Sequence, residues 1–163
     1  MAVEGYVLGI IGIAGTMLTI LGAGIPLSKG VQAAAAAVAE KQKLNIFILI
    51  YLALAEALAI YGLLIAFVMY TKMRPYLDGT FELTDFTPEY GWIFIAAMFI
   101  MVVSNLGAAI TLAKGEPAAI GSITANSEVF TPNLIYLGLG EALAIYGLLI
   151  AFILLNIVPV PTV

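Results

Sequence analysis

The chain has 163 residues, of which 63% are hydrophobic and 10% are charged, and its net charge is −4. A soluble domain is about 45–50% apolar and about 25% charged, so this composition indicates an integral membrane protein that lies in a lipid bilayer. The few scattered basic residues argue against nucleic acid as a partner. The sequence contains neither cysteine nor histidine, which excludes disulfides, thiol chemistry and imidazole bases or ligands.

The first half of the chain contains two apolar segments, each long enough to cross a bilayer as a helix. Residues 5–28 carry no charge, and a helix of that length measures about 36 Å. The alanine-rich run that follows predicts a helical extension leading to a short polar turn near 40–43. Residues 44–71 form the second segment, in which Glu56 is the single charge. Pro75 predicts that this helix ends before it.

The second half of the chain repeats this arrangement. Residues 73–89 contain several acidic side chains and predict a loop outside the bilayer. Residues 90–113 form a third segment without charge, and a moderately polar stretch then leads to a second short turn near 122–128. The last apolar segment has Glu141 as its single charge.

These segments predict an all-α membrane protein with four transmembrane helices, arranged as two tandem helical hairpins. The first hairpin is assigned to residues 1–72, the extracytoplasmic loop to 73–89 and the second hairpin to 90–163. An even number of crossings places both termini on one side of the membrane. The distribution of basic residues favours cytoplasmic hairpin turns and extracytoplasmic termini. The turn side carries Lys29, Lys41, Lys43 and Lys114, against Lys72 and Arg74 on the other side.

The two hairpins are copies of one another. Residues 56–67 and 141–152 are identical, at an offset of 85 residues. At the same offset the pair 29–30 matches 114–115, so the match includes both helices of each hairpin. A unit of two crossings returns to its starting side, so this is a parallel repeat rather than an inverted one. Such a repeat is expected to stack with further copies, and a ring is the closed arrangement.

Glu56 and Glu141 are the candidate functional residues, because an ionisable group in mid-membrane is costly and usually functional. A structural ion pair is disfavoured, since no basic residue is predicted in the same layer. A metal site is disfavoured too, since one carboxylate per hairpin without histidine or cysteine is a poor ligand set. A neutral packing role remains an alternative. Apolar surroundings favour the proton-bound carboxyl, so these residues are predicted to load and release a proton or a small cation.

Tyr61 and Tyr146 each follow a glutamate by five residues. At about 100° per residue, each tyrosine faces roughly 140° away from its own carboxylate. In a stacked array each tyrosine would be able to donate a hydrogen bond to the carboxylate of the next helix. The alternative is an ordinary packed or interfacial tyrosine.

The motif Glu-Ala-Leu-Ala-Ile-Tyr-Gly-Leu, in mid-helix of a duplicated hairpin, resembles the two-hairpin form of the proteolipid rotor protein of V-type and archaeal A-type ATPases. The resemblance implies a homo-oligomeric membrane ring with the glutamates at mid-bilayer on its outer side. It also implies a stator membrane subunit whose arginine ejects the ion, and a central stalk docked on the cytoplasmic turns. ATP hydrolysis or synthesis would occur elsewhere in the complex, so this chain would have no catalytic residues of its own and no cofactor.

The chain departs from the family pattern by keeping a glutamate in both hairpins, whereas many two-hairpin members keep only one. If both Glu56 and Glu141 carry ions, more ions cross the membrane per ATP. This would favour ATP synthesis, or pumping against a steep gradient.

The second departure concerns the ion. Family members that bind sodium surround the carboxylate with side-chain oxygens, and this chain has apolar residues at those places. Proton coupling is therefore predicted, with sodium as the less favoured ion. The positions that would line the site are Leu27, Ala57, Leu58, Leu112, Ala142 and Leu143.

Two other classes of function compete with the rotor. A stand-alone secondary transporter or channel would be expected to have inverted or asymmetric halves, and more polar groups along its pathway. A purely structural membrane scaffold would have no reason to carry two mid-helix carboxylates.

Overall fold

The computed structural model describes residues 2–41 and 46–159. Part of the first predicted turn, near 40–43, lies outside the described residues. Short 3-10 turns precede α2, α4 and α5. The helices are α1 (Ala2–Gly15), α2 (Thr19–Lys41), α3 (Ile46–Leu77), α4 (Pro88–Ala125) and α5 (Phe130–Ile157).

In the described part of the chain, four helical segments are long and apolar enough to cross a membrane. Helices α1 and α2 together form the first segment, which is interrupted by a 3-10 turn at Thr16–Leu18. The hydroxyls of Thr16 and Thr19 donate to carbonyls three residues earlier, at 2.6 and 2.7 Å, across this turn. Helices α3, α4 and α5 each supply one further segment. The predicted fold class, four membrane helices in two tandem hairpins, is confirmed, and the chain is an integral membrane protein.

The predicted end of the second span before Pro75 is wrong, because α3 continues to its last residue, Leu77. A proline so close to the end of a helix removes only one backbone hydrogen bond, so the last turn can form. The N–H of Asp78 donates to the carbonyl of Arg74 at 3.0 Å and extends the helical pattern. Gly79 then adopts a φ of 80°, a left-handed conformation that glycine accepts at little cost.

The connection between the hairpins is shorter than the predicted loop and occupies residues 78–87, because helices extend into it from both sides. Its buried anchor is Phe86, which is fully shielded from solvent. The ring of Phe86 packs edge-on against Tyr76 of α3 at 5.3 Å and against Phe94 of α4 at 5.4 Å. This aromatic cluster joins the two hairpins at the loop end of the molecule, the end that contains residues 78–87.

The opposite end, called here the turn end, contains the connection from α4 to α5. Helix α4 passes through Pro117 and ends only at Ala125, so most of the polar stretch expected as a turn is helical. The turn itself begins at Asn126, whose N–H donates to the carbonyl of Ser122 at 2.8 Å. The Asn126 side chain accepts from the N–H of Glu128 at 3.0 Å and caps the following 3-10 turn.

The sequence repeat is also a repeat of contacts. A Cβ placed on Gly30 would lie 2.5 Å from Leu52 Cδ2, and one on Gly115 would lie 2.7 Å from Leu137 Cδ2. The residues of the second pair lie 85 positions after those of the first. Close contacts between helices at glycines are typical of membrane bundles, in which small residues let backbones approach. Each hairpin is therefore packed in the same way.

Helix α4 lies at the centre and contacts α1, α2, α3 and α5. The buried side chains form two apolar clusters, one nearer each end of the bundle. Tyr61 packs against both clusters, so it lies near the middle of the bundle, where they meet.

Candidate functional site

The two hairpins meet at a hydrogen bond between a tyrosine and a carboxylate. The hydroxyl of Tyr61 on α3 donates to Oε1 of Glu141 on α5 at 2.5 Å. Glu141 is only 9% exposed. The structure therefore brings together a tyrosine of the first repeat and a glutamate of the second. Because each tyrosine faces away from the glutamate five residues before it, Tyr61 bonds to the glutamate of another helix, as considered from the sequence.

The other tyrosine and the other glutamate are not brought together. Glu56 lies exposed on α3, and Tyr146 is 60% exposed on α5. Each faces away from the Tyr61–Glu141 contact, as the angle of about 140° along each helix requires. The chain thus contains one complete pair and the two separated halves of a second pair.

The residues expected to line the site are apolar and differ in burial. Leu58 and Leu112 are completely buried in the cluster nearer the turn end. Leu27, Ala57 and Ala142 are partly buried, and Leu143 is exposed. None of these side chains contains an oxygen, so the hydroxyl of Tyr61 is the side-chain donor to Glu141 in the described part of the chain.

Asn105 is a polar residue of the site that sequence reasoning missed. It is fully buried on α4, and its Nδ2 donates to the backbone carbonyl of Leu58 at 2.6 Å. Its Oδ1 has no hydrogen-bond partner among the described residues. The bond ties α4 to α3 two residues beyond Glu56. A lone asparagine inside an otherwise apolar span was the signal that would have drawn attention to it.

Within the described residues neither Glu56 nor Glu141 forms an ion pair. Lys29 and Lys114 are exposed at the turn end. Lys72 donates to the backbone carbonyl of Val158 at 2.6 Å, at the loop end. The same part of the chain contains no group of three or more acidic residues close enough to hold a metal ion. The arrangement can hold a proton on a carboxyl between hairpins, with one hydroxyl to fix its position.

Residues 8–69 and 95–154 each match the family of the ATP synthase C subunit. The two matched segments correspond to the two hairpins and together cover most of the chain. A comparison with curated proteins gives no significant match.

Proposed function

The chain belongs to the family of the ATP synthase C subunit, and from that premise we propose that it is the rotor protein of a V-type or A-type rotary ATPase or ATP synthase. The family forms oligomeric rings and carries ions across the membrane. The finer assignment is supported by the duplicated hairpin in one chain and by the Glu-Ala-Leu-Ala-Ile-Tyr-Gly motif in both copies. The proposed cargo is the proton, carried on Glu56 and Glu141.

The observation that carries this proposal is the hydrogen bond from Tyr61 to Glu141. It joins one repeat to the next and holds in place the carboxyl of a nearly buried glutamate. By the symmetry of the repeat, Tyr146 of one copy would donate in the same way to Glu56 of the neighbouring copy. A ring satisfies every such pair, because each copy supplies the half that its neighbour lacks.

Proton transfer in the proposed rotor needs the carboxyl, its apolar surroundings and the stator arginine. A carboxyl surrounded by leucine and alanine is favoured in its neutral, proton-bound form. When the rotating ring brings that carboxyl to an arginine of the stator, the positive charge would favour the ionised form and release the proton. The carboxylate would take up another proton from water in a half-channel of the stator before it moves back into lipid, since an unpaired charge in hydrocarbon is costly.

Sodium is the less favoured cargo. A sodium ion must exchange its water shell for several oxygens, whereas a proton needs one carboxyl. The lining residues contribute no side-chain oxygen, and the free amide oxygen of Asn105 is a single additional acceptor. Labelling of Glu56 and Glu141 by a carbodiimide is therefore expected to be insensitive to sodium. Protection by sodium at constant pH would contradict proton coupling.

The proposed partners follow from the same assignment. The hairpin turns would face the cytoplasm and contact the central stalk, while both termini and the loop would lie on the other side. The distribution of lysine and arginine supports this orientation. ATP chemistry would take place in other subunits.

The test compares single glutamine replacements in the assembled complex. E56Q and E141Q should each reduce ATP-driven proton transport, and the double variant should abolish it, because glutamine cannot release a proton. E82Q, which changes an exposed carboxylate at the loop end and away from the proposed stalk contact, is the matched control and should leave transport unchanged. Unchanged transport in E56Q would show that the first glutamate is not a carrier.

A further inference from the structure

A third carboxyl group lies inside the protein, on α4. Glu116 is 0% exposed. Neither of its carboxyl oxygens has a hydrogen-bond partner among the described residues. Buried polar groups are almost always hydrogen-bonded, so two unpartnered oxygens on one buried side chain call for a physical explanation.

The carboxyl lies where α2, α3 and α4 meet. A Cβ added to Gly30 of α2 would lie 2.8 Å from Oε2 of Glu116 and 2.5 Å from Leu52 of α3. The carboxyl also lies close to the backbone N–H of Ala55, though not in hydrogen-bonding geometry. Glycine at position 30 thus leaves the space that the carboxyl occupies between the two hairpins.

No positive charge in the described part of the chain compensates the carboxyl. Lys29 on α2 and Lys114 on α4 are exposed, and no ion pair joins either of them to Glu116. On α3 and α5 the remaining titratable groups are engaged or exposed. The Tyr51 hydroxyl donates to the carbonyl of Phe130, Glu56 is exposed, and Glu141 is bonded to Tyr61.

We propose that Glu116 is a third proton-binding site of the chain, which holds its proton as the neutral acid at the junction of the two hairpins. An ionised carboxylate without a cation or hydrogen-bond donor is far more costly in such a place than the neutral acid. Sodium is a poor alternative ligand, because Gly30 and Leu52, which lie beside the carboxyl, have no side-chain oxygen. A proton needs no further oxygen.

This site is separate from the carriers proposed above. The position equivalent to Glu116 in the first repeat is Val31, which is 49% exposed, so the first repeat has no buried carboxyl at that place. Glu116 is also enclosed by helices of its own chain, whereas Glu56 is exposed on the outside. Its proton is therefore expected to stay bound, whatever the exposed Glu56 does.

Infrared spectroscopy of the purified, assembled full-length chain tests this site directly. In the E56Q/E141Q background, the C=O stretching band of a protonated carboxyl should persist at neutral pH, with an intensity of one group per chain. Adding E116Q should remove that band completely. Adding E128Q instead should leave it, because that carboxylate is exposed to solvent rather than buried.

A background spectrum that shows only ionised carboxylates would overturn the proposal. If the E56Q/E141Q variant does not assemble, the unaltered chain is compared with the single variant E116Q. E116Q should then lose one protonated carboxyl per chain, and equal band intensities would again overturn the proposal. These readouts are independent of ion transport, so they do not depend on whether the rotor assignment is correct.

Discussion

Tyr61 and Glu141 lie in different copies of the repeat, so the hydrogen bond between them joins one hairpin to the other. It fixes the carboxyl of a nearly buried side chain and joins α3 to α5 near the middle of the bundle. A hydrogen bond of this kind typically contributes about 1 kcal/mol. That free energy is enough to favour one orientation of the Glu141 side chain.

Y61F removes this hydroxyl and keeps the ring. We expect Glu141 to react about five-fold faster with a carbodiimide, the factor that corresponds to about 1 kcal/mol. Mass spectrometry of the labelled chain measures the rate at each glutamate separately. Y70F is the matched control, since Tyr70 is an exposed tyrosine on the same helix. Equal rates at Glu141 in Y61F and in the unaltered chain would mean that the bond does not restrain the carboxyl.

At the scale of helices, each hairpin is closed by a glycine that faces a hydroxyl. A methyl group on Gly62 of α3 would overlap the hydroxyl of Thr19 on α2, and one on Gly147 of α5 would overlap that of Ser104 on α4. The two contacts lie 85 residues apart. The same close approach therefore sets the distance between the two helices of each hairpin.

G62A and G147A should each destabilise the folded chain by about 1–3 kcal/mol, the usual cost of overpacking. Thermal unfolding of the detergent-solubilised protein measures this loss. G138A is a sharp control, because nothing lies within 4 Å of a Cβ at Gly138, and the first repeat has Ala53 at the equivalent position. It should be neutral or slightly stabilising, as alanine favours helices. Equal stability of G62A and G138A would contradict the packing described here.

The membrane helices could be predicted from the sequence because hydropathy and length are properties of composition. Their ends could not. Pro75 lies too close to the end of α3 to stop it, and the helix continues to Leu77, two residues before Gly79 adopts its positive φ.

Some residues of the candidate site could likewise be predicted from the sequence, and others could not. Glu56 and Glu141 stand out in any apolar span. Asn105 and Glu116 required the structure, because their burial depends on which helices pack around them. Glu116 in particular follows Lys114 near the end of an apolar segment, where a solvated carboxylate is the ordinary expectation.

The whole molecule has one complete Tyr–Glu pair inside and the two halves of another on its outside. Glu56 on α3 and Tyr146 on α5 are exposed, and both lie five residues from a member of the internal pair. A second copy placed by the operation that relates the first hairpin to the second would bring Tyr146 next to Glu56. Repeating that operation gives a closed ring when a whole number of such rotations adds up to a full turn. We therefore expect electron micrographs of the purified protein to show rings. Isolated monomers or dimers would favour a stand-alone transporter instead.

Y146F distinguishes a contact within the chain from a contact between chains. In the assembled ring it should raise the rate of carbodiimide labelling at Glu56 about five-fold and leave Glu141 unchanged, because the lost hydroxyl restrains the neighbour's carboxyl. In detergent that separates the copies, Y146F should have no effect, since Tyr146 and Glu56 do not meet within one chain. Y61F should act on Glu141 in both states, because that bond is internal. If Y146F changed labelling equally in rings and in monomers, the second pair would not be formed by ring assembly.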